Sequence, residues 1–168
     1  MKIWFNTLKI ISFIGSGFIG GLLSLFLLSI IDPLLTSLTV SEHQIVNVLV
    51  EESVKLFLLY RLYRFFTHSS IKPNTHRQST VYLQNALLGI TFGLGFSLFE
   101  LFLLTLNSSR ILNLSFVLNT FLHSTTALLL SLGITISISK KKLSTIIPFW
   151  LLAFFLHLCY NLIVMNQY

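Results

Sequence analysis

Five carboxylates and five histidines are the residues of this chain best able to move protons or hold a metal, and half of them stand inside apolar runs. Asp32 and Glu42 flank a short link, and His43, His68 and His76 lie in or near polar stretches. Glu51, Glu52, Glu100, His123 and His157 are embedded among leucines, phenylalanines and valines. A charged side chain at the middle of a bilayer costs roughly 2.5–3.5 kcal/mol on insertion scales, and such residues face a bundle interior and commonly work there. Glutamate and neutral imidazole together can activate water, directly or through a metal. Two adjacent carboxylates also resist ionising together, which supplies a proton donor and an acceptor in one place. A purely structural reading pairs Glu51 with Lys55 at i,i+4 and takes His157, with Asn161, as a hydrogen-bonding contact from one helix to another. It leaves Glu52 and Glu100 without a partner.

The elements that must carry these groups are membrane helices. Of 168 residues, 54% are hydrophobic and only 10% charged, whereas a soluble domain carries about 25% charged residues. So few charges cannot build a water-facing surface. The length suits one compact bundle, residues 1–168, and is too short for a second domain. Spanning a bilayer takes about 20 helical residues, and five apolar stretches reach that length, at 8–31, 43–66, 81–106, 112–138 and 144–165. The expected fold is all-α, a polytopic transmembrane bundle with a polar intramembrane cavity. Ile31-Asp32-Pro33 ends the first span, and Ser41-Glu42 has the character of an N-cap for the second. Thr67 to Ser79 reads as a loop, and Asn107 to Arg110 as a turn. Lys140-Lys141-Lys142 closes the fourth span. Pro148 falls in the first turns of the fifth, where proline is tolerated. The first apolar run exceeds the 7–15 residues of a signal-peptide core and has no clear cleavage site after it, so it is expected to be retained. Cys159 is the single cysteine and permits no intrachain disulfide.

The net charge of +6 is distributed by topology. Lys2 and Lys9 precede the first span. The next link has no Lys or Arg. The following one is flanked by Arg61 and Arg64 and contains Lys72 and Arg77. Arg110 stands alone, and the triple lysine follows the fourth span. The positive-inside rule then predicts a cytoplasmic N-terminus and an extracytoplasmic C-terminus, with the basic segments against anionic lipid head groups rather than nucleic acid. We expect an integral protein of a bacterial inner (plasma) membrane. At about 1.5 Å per residue, Glu51 and Glu52 lie about 12–14 Å from the outer end of their span. Glu100 lies about 9 Å in, His123 about 16 Å and His157 about 14 Å. Asn161 is one turn above His157 on the same face. Four spans thus place ionisable groups in one layer of the outer leaflet. Gly17, Gly21 and Ser24, and Gly89, Gly93 and Ser97, have the small-residue spacing that lets helices approach closely. Glu100 follows Ser97 on the same side of its helix.

Read in order, these residues form a pattern. Glu51-Glu52-Ser53-Val54-Lys55 is EExxK, Phe96 to Glu100 is FxxxE, His123 follows, and His157 to Asn161 is HxxxN. This resembles the PrsW-type membrane proteases within the CPBP (Abi) superfamily, whose CAAX prenyl endopeptidases show EExxxR, FxxxH and HxxxN. The likeness covers residues 51–161, and Lys55 and Glu100 favour the PrsW branch. It implies an intramembrane endopeptidase acting on a membrane or exported protein, with Glu51 or Glu52 activating water. Glu100, His123 and His157 would complete the site, and Asn161 would stabilise an oxyanion. The resemblance leaves the cofactor open. One option is a divalent metal such as zinc on Glu52, Glu100, His123 and His157; the other is a water activated by glutamate with no metal. Two other functions compete: a proton-coupled transporter subunit, since intramembrane Glu and His also relay protons, and a non-catalytic immunity or scaffold protein of the same superfamily.

Overall fold

The computed structural model describes residues 2–67, 78–107 and 114–165. The protein is all-α. Five long helices run α1 (Lys2–Ile31), α2 (Val40–Thr67), α3 (Gln78–Asn107), α4 (Leu114–Lys140) and α5 (Ile147–Met165). Helices are the expected answer to a lipid solvent, because each satisfies its backbone hydrogen bonds within its own segment. Four of them, α1, α3, α4 and α5, are long and apolar enough to cross a membrane, which makes this an integral membrane protein. The second helix has the length but carries Glu51, Glu52 and Lys55 within five residues.

The predicted spans match the five helices to within about three residues at each end, except that α1 begins six residues earlier. Gln78 and Ser79 are helical rather than loop. The rest of the predicted loop beyond Thr67, with Lys72 and Arg77, lies outside the described residues, as does the turn from Ser108 to Arg110. Pro33 sits in a 3-10 turn, Asp32–Leu34, that leads out of α1. The N-cap of α2 is Thr39 rather than Ser41. Thr39 N–H donates to Glu42 Oε2 (2.7 Å) and Glu42 N–H to Thr39 Oγ1 (3.4 Å), a reciprocal capping box. The α4 terminus is built by the lysines. Lys141 takes a left-handed φ of 52°, while Lys142 N–H donates to Ser137 O and Lys141 N–H to Ile138 O. This is the Schellman arrangement, here without its usual glycine. A 3-10 turn, Leu143–Ile146, then leads to α5, and Pro148 is its second residue.

The third helix is held between α1 and α4, and α2 packs against α1, α4 and α5. Glycine makes the close approaches. A Cβ at Gly95 would stand 2.0 Å from Ile14 O, and one at Gly17 2.0 Å from Phe92 O, so α1 and α3 touch backbone to backbone. On the opposite face of α3, a Cβ at Gly89 would meet Ser131 at 2.6 Å and one at Gly93 would meet His123 O at 2.4 Å. Both small-residue stripes of the sequence are therefore helix interfaces. An apolar core of Phe13, Leu59, Phe92, Phe96, Ala127, Leu130 and Ile134 fills the centre. Polar character segregates to the two ends. Lys9, Arg61, Arg64 and Lys140 to Lys142 mark one, and Asp32, Glu42 and His43 the other.

Candidate functional site

The second helix places Glu52 and Lys55 one turn apart on its buried face, and both side chains are fully buried. Lys55 Nζ donates to Glu52 Oε1 (2.6 Å), to His123 Nδ1 (2.7 Å) and to Thr126 Oγ1 (3.4 Å). These three acceptors match the three donors of an ammonium. Phe96, the first residue of the FxxxE motif, closes the fourth side, with its ring centroid 4.5 Å from Nζ and 4.9 Å from the His123 ring. The ion pair expected between Glu51 and Lys55 is thus made by Glu52 instead. Residues 51 and 52 lie about 40° and 60° to either side of 55 around the helix, so both are within reach, and it is the fully buried Glu52 that makes the pair.

Because Gly93 seats α4 directly on α3, His123 reaches Glu100. His123 Nε2 stands 2.9 Å from Glu100 Oε2, which also accepts from Asn119 Nδ2. With Nδ1 accepting from Lys55, the His123 proton belongs on Nε2, where it is donated to Glu100. The fifth helix brings His157 to the other side. Its Nδ1 is 2.7 Å from Glu52 Oε1, and its Nε2 is 3.7 Å from Glu51 Oε2. The two imidazoles meet edge to face, 5.0 Å between centroids. Glu100, His123, Lys55, Glu52 and His157 therefore form one hydrogen-bonded chain through four helices, and Glu51 stands beside its far end.

The layer is packed in the middle and open at its edges. Glu52, Lys55 and His123 have no exposed surface, while the Glu100 and Glu51 side chains are 25% and 17% exposed. Glu51 Oε2 and Glu52 Oε2 are both buried and make no hydrogen bond. Asn161, one turn above His157, donates to Gln44 Oε1 (3.4 Å) rather than to the cluster. Gln44 and Asn47 continue the Glu51 face of α2 toward the acidic end. Sequence reasoning passed over Asn119, Thr126, Gln44 and Asn47, although Gln44 and Asn47 stand two turns and one turn before Glu51. Two apolar grooves lie elsewhere, one lined by Leu56, Leu143 and Trp150, the other by Gly15, Ile19 and Leu62.

The fit of this set to a metal can be judged from its donors. One ligand atom each from Glu51, His123 and His157 lies within 4.8 Å of the others, so Glu51 stands where the sequence suggested Glu52 and Glu100. Yet Nδ1 of His123 receives the Lys55 ammonium and Nε2 faces Glu100. Only Glu51 and His157 Nε2 remain free to bind. Hydrolytic zinc sites use three protein ligands, and a cation already sits 2.7 Å from the third. The residues fit a divalent ion poorly. Comparison of the chain with family models, with curated proteins and with solved structures finds no match.

Proposed function

We propose that this layer is the active site of an intramembrane endopeptidase in which Glu51 activates water. The observation that carries the reading is the division of labour between the two glutamates. Glu52 Oε1 is held by Lys55 and His157, with its Oε2 buried and unpartnered, whereas Glu51, its side chain partly exposed at the edge of the layer, turns a buried, unpartnered Oε2 toward His157 Nε2. A water about 2.8 Å from both Glu51 Oε2 and His157 Nε2 satisfies hydrogen-bond geometry. In this reading Glu51 takes one proton as the water oxygen attacks the carbonyl carbon. It returns that proton to the amide nitrogen as the C–N bond breaks. Asn161 Nδ2, held only by a long contact to Gln44, turns to the developing oxyanion, as the PrsW and CPBP pattern implies.

The same reading places the basic end in the cytoplasm of a bacterial cell and the site in the extracytoplasmic half of its plasma membrane. The substrate is then a membrane or exported protein cut near that surface. Proton transport is disfavoured by the packing. One turn beyond Lys55 and Thr126, toward the basic end, stand Leu59 and Leu130, both without exposure. They separate the layer from the Tyr63 hydroxyl.

The test is cleavage of a quenched-fluorescent library of hydrophobic peptides by the purified protein in liposomes. Glu51→Gln is expected to lower the rate by about 10²–10⁴-fold, the usual worth of a general base. Glu52→Gln, whose amide oxygen still accepts from Lys55 and His157, is expected to lower it less. Undiminished cleavage by Glu51→Gln would sink the assignment. Cell function that survives the double change Glu51→Ala, Glu52→Ala would favour the non-catalytic reading.

A further inference from the structure

We propose that Lys55 is the positioning residue of this site: its ammonium fixes the His123 tautomer, and the Glu52 carboxylate that it holds fixes His157 in the opposite one, leaving one imidazole lone pair, His157 Nε2, beside Glu51. The inference rests on the endopeptidase reading for its purpose but not for its geometry.

A histidine has two ring nitrogens, and the neighbour of one decides the proton on the other. Lys55 is a donor with no accepting atom, so the nitrogen 2.7 Å from it, His123 Nδ1, must present a lone pair. The ring proton is then on Nε2, 2.9 Å from the Glu100 carboxylate. Both nitrogens of His123 are consumed, and it offers nothing to a substrate or a water. On its other side Lys55 donates to Glu52 Oε1. That oxygen is an acceptor for His157 Nδ1 at 2.7 Å, which puts the His157 proton on Nδ1 and turns the Nε2 lone pair toward Glu51 Oε2 at 3.7 Å. The cation thus assigns the first ring, and the carboxylate it holds in place assigns the second. The sequence alone suggests two equivalent histidines. The geometry makes them unlike: His123 is a brace between α2 and α3, and His157 is the working imidazole.

The arrangement also explains why position 55 is charged at all. The Nζ atom has a carboxylate, an imidazole, a hydroxyl and an aromatic face around it. A neutral donor such as glutamine would not supply three protons in these directions.

Nitrogen-15 NMR of the protein labelled at histidine ring nitrogens, in lipid nanodiscs, reads tautomers without any substrate. Signals are assigned by His123→Gln and His157→Gln. The expected result is protonated Nε2 with bare Nδ1 for His123, and the reverse for His157. In Lys55→Met, His123 is expected to lose its single tautomer and show both forms. Should Lys55→Met fail to fold, the double change Glu52→Gln, Lys55→Met removes the buried charge imbalance, and the amide oxygen at 52 still accepts from His157. There His123 alone should change. A native His123 protonated on Nδ1, or ring signals unmoved by loss of Lys55, overturns the proposal. Peptide cleavage measured on the same samples separates the two claims. Opposite tautomers with no cleavage by native protein uphold the geometry and refute the protease. Cleavage with the wrong tautomers does the opposite.

Discussion

Gly93→Ala tests whether helix packing sets the chemistry. A Cβ at position 93 would lie 2.4 Å from His123 O, 2.5 Å from Ser124 Cα and 2.7 Å from His123 C. All three are backbone atoms of α4, so no rotamer change relieves the overlap. Reaching ordinary contact at 3.4 Å requires α4 to move from α3 by about 1 Å at that point. His123 is the residue pushed. Its 2.9 Å contact to Glu100 lengthens toward about 3.9 Å, beyond hydrogen-bond range. Overpacking of this kind costs about 1–3 kcal/mol, and a displacement of about 1 Å at a catalytic group can cost on the order of 10² in rate. We therefore expect cleavage in liposomes to fall by about 10²-fold, with a modest loss of thermal stability. The control is Gly15→Ala, whose Cβ meets nothing within 4 Å; it should leave both quantities nearly unchanged. If Gly93→Ala cleaves peptide at the native rate and keeps the His123–Glu100 hydrogen bond by NMR, the argued link between the glycine interface and the site is wrong.

Three further outcomes are expected. Tyr63, buried, shares with Ser131 the carbonyl of Asn85; Tyr63→Phe leaves the serine donor in place and should cost about 1 kcal/mol in unfolding, with cleavage within about threefold of native. Glu42 is held below its ordinary carboxylate value by the Thr39 backbone N–H and hydroxyl, so its contribution to the α2 cap is complete above that ordinary value and lost as pH falls through the lowered one. Exchange protection at residues 40–43, corrected for the intrinsic rate at each pH, should fall in acid for native protein and lose that pH dependence in Glu42→Gln. Finally, segment 40–67 alone, placed in a membrane-insertion reporter, should span far less efficiently than segment 80–106, and Glu51→Leu with Glu52→Leu should restore it.

Much of the fold was readable from the sequence because lipid removes alternatives: apolar runs of sufficient length must be helices. Even the helix contacts could be read, since Gly17 and Gly93 are small for a reason that spacing reveals. Depth arithmetic placed Glu51, Glu52, Glu100, His123 and His157 in one layer, because rise per residue is nearly constant. What arithmetic along an axis cannot supply is rotation about it. Glu51 and Glu52 differ by about 1.5 Å in depth but by about 100° in direction, about 40° and 60° to either side of Lys55, so spacing left both within reach and the packing of α4 and α5 decided which one meets it. The N-cap was misplaced for a similar local reason. Ser41-Glu42 has cap-forming residue types, but Thr39 stands three residues before Glu42 and completes the reciprocal pair. Asn119 escaped notice because an asparagine near a helix end resembles a surface residue until its neighbour Glu100 is known.

The helix that carries most of the charged layer is also the one least suited to lipid. Glu51, Glu52 and Lys55 at mid-span cost about 7–10 kcal/mol together on the insertion scale. The apolar residues of α2 return roughly 0.3–0.6 kcal/mol each, which does not comfortably offset that sum. The deficit is met by the bundle, since Lys55 finds its acceptors on α2 and α4, Glu52 finds His157 on α5, and Phe96 of α3 covers the ammonium. Entry of α2 into the membrane and assembly of the site are then one event, because the partners that make the charges tolerable are those that orient them. Such coupling removes the need for a separate stabilising role for the polar network. It also makes Glu51 the informative exception. Every other ionisable group in the layer has a hydrogen-bond partner, whereas Glu51, its side chain partly exposed and its Oε2 buried without a partner, is tolerated without full compensation.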